Sequence, residues 1–105
     1  MSTNELSPVN QFPVLIKRLL KMRRSASEPL IDVVVEIGYP YWTDPDLEAA
    51  CPVAIRGVID RVMDIRSIDF MGAMKEAIRF VETYLKHPAG GMQFLWPDGE
   101  PYGDD

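Results

Sequence analysis

The chain has 105 residues, 47% of them apolar and 26% charged, with a formal net charge of −5. This is the size and mix of one globular domain, and the acidic balance argues against general affinity for nucleic acid, whose phosphates need clustered cations. A single cysteine, Cys51, and a single histidine, His87, rule out an intramolecular disulfide and a cysteine-based zinc site.

Residues 1–11 are polar and include Pro8, so they read as a flexible N-terminal arm. They show no basic stretch leading into an apolar core, as a signal peptide would, and apolar runs such as Val33-Val34-Val35 are far short of the roughly 20 residues that cross a bilayer. No membrane association and a cytoplasmic location are the expectations. The segment Phe12–Arg24 is rich in Leu, Lys, Arg and Met, which favours helix by intrinsic propensity. At period two it sets Phe12, Val14, Ile16, Leu20 and Met22 on one side, interrupted by Arg18. Its cations Lys17, Arg18, Lys21, Arg23 and Arg24 have no aromatic residue among them to stack a base.

The stretch from Leu30 to Trp42 is clearer. Ile31, Val33, Val35, Ile37, Tyr39 and Tyr41 alternate with Asp32, Val34, Glu36 and Gly38, the signature of a strand. The turn chemistry of Ser25–Pro29 joins it tightly to the segment before, so a hairpin is expected and residues 12–23 become its first strand. Asp44–Ala50 reads as an acidic connector with room for one turn of helix. Cys51–Asp60 alternates again, Val53, Ile55, Gly57 and Ile59 against Ala54, Arg56, Val58 and Asp60, as a third strand.

Asp69 is placed to cap a helix that puts Phe70, Met74, Ala77, Ile78, Val81, Tyr84 and Leu85 on one side. Lys75, Glu76, Arg79, Glu82 and Lys86 lie opposite, and His87-Pro88 ends it. After Gly90-Gly91, Met92–Trp96 forms a last short strand, and 98–105 reads as an acidic, mobile tail. The expected fold is a two-layer α+β domain over residues 12–97. A mostly antiparallel four-stranded sheet carries one long helix on one face, in the order β-β-β-α-β.

Short motifs in this order resemble a family of short uncharacterised bacterial domains of unknown function. They are Ile37-Gly38-Tyr39-Pro40, Cys51-Pro52-Val53-Ala54-Ile55-Arg56-Gly57, Ile68-Asp69 with Ala73-Met74 and Ala77-Ile78, and Leu95-Trp96. The resemblance supports the strand reading of 12–23 and brings no activity, substrate or cofactor. The chain departs from that pattern at two positions: Ser67 stands where the family tends to have Gly, and Gly72 where it tends to have Gln.

Cys51 sits at a strand entry far from His87, which suits a space-filling thiol better than a nucleophile. Asp44, Asp46 and Glu48 lack the central Gly and later Glu of a calcium loop, and Gly90-Gly91 has no phosphate-cradling helix after it. No catalytic, cofactor-binding or metal-binding residue is therefore assigned. Two surfaces remain as candidate interfaces. One is the aromatic run Tyr39, Tyr41 and Trp42, joined by Trp96; the other is the sheet face opposite the helix, where Val34 and Val58 would lie in an uncovered apolar patch. A small non-enzymatic protein-binding domain is expected, engaging itself as a homo-oligomer or masking a partner as immunity proteins do. The alternative is a ligand-binding domain or enzyme with a pocket near Cys51.

Overall fold

Most of the alternating segments pair into an antiparallel meander. The computed structural model describes residues 11–103, so nearly all of the expected N-terminal arm lies outside the described residues. Five strands precede the helix: β1 (Val14–Arg23), β2 (Ile31–Gly38), β3 (Tyr41–Asp44), β4 (Glu48–Arg56) and β5 (Met63–Ser67). The helix α1 (Phe70–Lys86) follows, then β6 (Gln93–Leu95). The α+β class holds, but the sheet has six strands where four were expected.

The first added strand comes from a break in a long one. Ile37 faces Val53 and Tyr41 faces Ala50, so four steps on one side match three on β4. The extra residue is a bulge at Tyr39-Pro40, where proline also removes a ladder N–H. Alternation put Tyr41 on the same face as Ile37; the bulge turns it to the other face. The second added strand, β5, pairs with β4 from Ala49↔Ser67 to Val53↔Met63. With β2 and β3 along its other edge, β4 becomes the central strand, and Ala49–Ile55 are all buried. Its small residues Ala49, Ala50 and Ala54 fit that enclosure.

The connector after β3 contains no helical turn. Leu47 N–H donates to the Asp44 carbonyl at 2.8 Å, and Asp46 takes a positive φ of 63°, closing a tight hairpin. β4 starts at Glu48 and stops at Arg56, short of the expected Asp60. At Gly57 φ is 101°, and the N–H groups of Val58 and Ile59 turn back to the Ile55 carbonyl.

β1 is a strand despite its helical composition, because it pairs with β2 over nearly its whole length and with β6 on its far edge. Its inward residues Leu20 and Met22 join Val33, Val35 and Ile37 of β2 and Cys51, Val53 and Ile55 of β4 in the core. The Asp69 carboxylate accepts from Gly72 N–H at 2.8 Å, capping α1 as expected. The helix buries Ala73, Ala77, Val81 and Leu85 over β4 and β5, and only its edge reaches β2. That stripe is narrower than the expected face and leaves Phe70 and Ile78 at the surface.

Residues 98–103, assigned by sequence to a tail beyond the domain, have a defined path. Trp96 N–H donates to the Glu100 carbonyl at 2.8 Å and Tyr102 N–H to the Phe94 carbonyl at 3.1 Å, folding the chain back along β6.

Candidate functional site: an aromatic edge and an apolar end

The bulge at Tyr39-Pro40 decides where the aromatic run goes. Tyr41, opposite Ala50, faces away from the helix, whereas Trp42, opposite Ala49, faces the helix side. Tyr39 and Tyr41 line an open cleft of about 410 Å³ with Phe12, Pro13, Pro40, Pro52 and Asp64. Phe12 can lie there because Gly38 lacks a side chain: a Cβ would stand 2.6 Å from Phe12 Cδ1 and 2.9 Å from the Pro13 carbonyl oxygen. Burial and the neighbouring Asp64 push the Tyr41 hydroxyl above its ordinary pKa, so it remains a neutral donor at physiological pH.

On the other side, the rings of Trp42 and Phe70 meet with centroids 4.7 Å apart. This contact joins the β3–β4 hairpin to the start of α1, and the Ala49↔Ser67 pairing brings the end of β5 to the same place. Five large apolar side chains are exposed at this end: Trp42 by 38%, Leu47 by 69%, Ile68 by 75%, Phe70 by 42% and Met71 by 80%. Sequence reasoning found only Trp42 among them. The signal it passed over was Ile68 and Met71, which flank the cap on positions off the buried stripe of α1.

Trp96 is not part of this edge. It belongs to the opposite margin of the sheet, where it packs against Tyr102 at 4.8 Å between centroids and lies partly buried against the core. Val58 follows the end of β4 and packs against the core instead of facing out beside Val34. Val34 does lie on the face away from the helix, half-buried. That face is not a bare apolar patch. Lys21 pairs with Asp32 at 2.7 Å, Arg56 with Glu36 at 3.0 Å and Arg66 with Glu48 at 3.1 Å across its strands, with Leu15 and Leu19 exposed among them.

The Cys51 thiol is fully buried in the core and donates to the Gly38 carbonyl at 3.3 Å. Burial, with a smaller contribution from the charge of Asp64, pushes its pKa up to about 11. A thiol held protonated in this way is a packing group at neutral pH, not a thiolate nucleophile. The cleft lined by Pro52 opens on the opposite face of β4 from that sulfur. Asp44, Asp46 and Glu48 do not converge; Glu48 is held by Thr43 Oγ1 at 2.6 Å and by Arg66. Among the described residues no group of three or more His, Cys, Asp or Glu could hold a metal ion, and no helix is long and apolar enough to cross a membrane. Comparison with protein-family models, with curated proteins and with solved structures finds no match to this chain.

Proposed function

We propose that this chain is a small non-enzymatic protein-binding domain that engages a partner through the Trp42–Phe70 end. The observation that carries the reading is the exposure of Trp42, Leu47, Ile68, Phe70 and Met71 together. Large apolar side chains gathered at one place lower solubility unless something covers them, and Trp, Phe and Met are the types that anchor interfaces. The ion pairs on the open sheet face make it the weaker candidate for such a contact.

A photo-crosslinking residue placed at Ile68 in cells of the native host, with a control at Arg61 beyond the other end of β5, tests this. A discrete adduct at Ile68 that is lost on Trp42→Ala, and is missing at Arg61, is the expected result. Equal labelling at both positions, or none at either, would overturn the reading. One specific observation favours a second reading as a small-ligand site: the Tyr39–Tyr41 cleft, with Asp64 at its wall. In that case Tyr41→Ala would abolish function and leave the Ile68 adduct untouched.

A further inference from the structure

We infer that the segment seated on the Trp42–Phe70 end is cationic and amphipathic, a peptide element of another protein with an apolar face and Lys or Arg beside it. This inference rests on the protein-binding reading and specifies its partner. Carboxylates lie in the same segments as these apolar side chains. Asp46 sits in the hairpin turn that carries Leu47, Asp44 enters that turn opposite Glu48, and Asp69 caps α1. The cations there are Arg66, already held by Glu48, and Lys75, one helical turn beyond Met71.

Among the described residues neither Asp44 nor Asp46 has a cation within ion-pair distance. Two carboxylates without an ion-pair partner, in the hairpin that carries exposed Leu47 and Trp42, complement a ligand that brings its own positive charge, and such complementarity selects partners and speeds encounter. A second copy fits less well. A two-fold contact through this end would bring the acidic hairpins of both copies into one interface, with Arg66 and Lys75 as the cations nearby.

Dye-labelled amphipathic helical peptides, one of leucine and lysine and one of leucine and glutamate, provide the probe. The lysine peptide should bind at least about tenfold more tightly, and the preference should shrink as salt screens the carboxylates. Asp44→Asn with Asp46→Asn should weaken it several-fold, and asparagine tolerates the positive φ at position 46. Ile68→Ser with Met71→Ser should remove most of the binding.

Equal affinity for the two peptides, or binding indifferent to Ile68→Ser with Met71→Ser, would overturn the inference. So would a concentration-dependent dimer that those serine changes dissolve, since the occupant would then be a second copy. An Ile68 crosslink in cells to an acidic or neutral segment would sink the inference and leave the protein-binding reading standing.

Discussion

Arg18 Nη1 donates to the Tyr102 hydroxyl at 2.6 Å, tying β1 to a residue 84 positions later in the chain. The same hydroxyl donates to Glu82 Oε1 at 2.9 Å, and Arg18 reaches Glu82 Oε2 at 3.3 Å. The guanidinium also lies 5.4 Å from the ring centroid of Trp96. A cation on the helix-facing side of a strand would be costly alone; here two aromatic rings, a hydroxyl and a carboxylate surround it. Tyr102→Phe keeps the ring stacked on Trp96 and removes both hydroxyl bonds, so it should cost about 1–2 kcal/mol in urea unfolding with an unchanged m-value. No loss of stability would mean that the returning turn is not held by this network.

The same network sets a pH dependence. Burial pushes the Glu82 carboxyl up, but the hydrogen bonds from Tyr102 and Arg18 and the charges of Arg18 and Lys86 outweigh it and leave the pKa below the ordinary value. A folded pKa below the unfolded one contributes stability above the unfolded pKa, and that stability is lost as pH falls through the folded one. Tyr102 is shifted the other way, raised by burial and by its bond to Glu82. Its contribution is complete below the unfolded pKa and is lost as pH rises through the folded one. Glu82→Gln should therefore flatten the acid limb of a stability–pH curve between about pH 5 and pH 3. An acid limb identical to that of the unmodified chain would remove Glu82 from this account.

How far the sequence could be read follows from where packing acted locally. Val33, Val35 and Ile37 alternate with Asp32, Val34 and Glu36 and became core, and Asp69 before an apolar stripe became a cap. The bulge at Tyr39-Pro40 was hidden because Tyr39 and Tyr41 continue the alternation in letters while the register slips beneath them. β5 is hard to see because its half-buried face is Met63, Ile65 and Ser67, of which Ile65 alone has a strong strand preference. Tyr102 read as tail because Pro97, Gly99 and Pro101 signal a turn and say nothing about what the turn folds against. Among the candidate surface residues, Trp42 was legible as an aromatic. Ile68 and Met71 show only as the surplus once the buried face of α1 is known.

Cys51 provides a direct check on the core. With its pKa near 11, the thiolate fraction at pH 8 is on the order of one in a thousand, and the sulfur has no exposed surface. A chromogenic disulfide reagent should label the native protein only at the slow rate of structural opening and should titrate one thiol at once in denaturant. Rapid labelling of the native chain would show an accessible, activated thiol and revive a catalytic reading of Cys51.

Ser67 and Gly72 share one space. Asp69 is the cap, so Gly72 is the third residue of the helix, and a Cβ built on it would collide with Ser67 Oγ and stand 3.2 Å from Ser67 Cβ. The reverse arrangement, Gly at 67 and Gln at 72, would free that space. A glutamine at this third position can reach back to the cap residue's N–H as a capping box, provided that nothing stands where its Cβ must go. Gly72→Gln alone should gain helix propensity and lose it to the clash, and Ser67→Gly alone should weaken β5. The two changes together should be more stable than their sum by about 0.5–1 kcal/mol in a double-mutant cycle read by urea unfolding. Effects that add to within about 0.3 kcal/mol would show that the Ser67 hydroxyl does not govern what position 72 can hold.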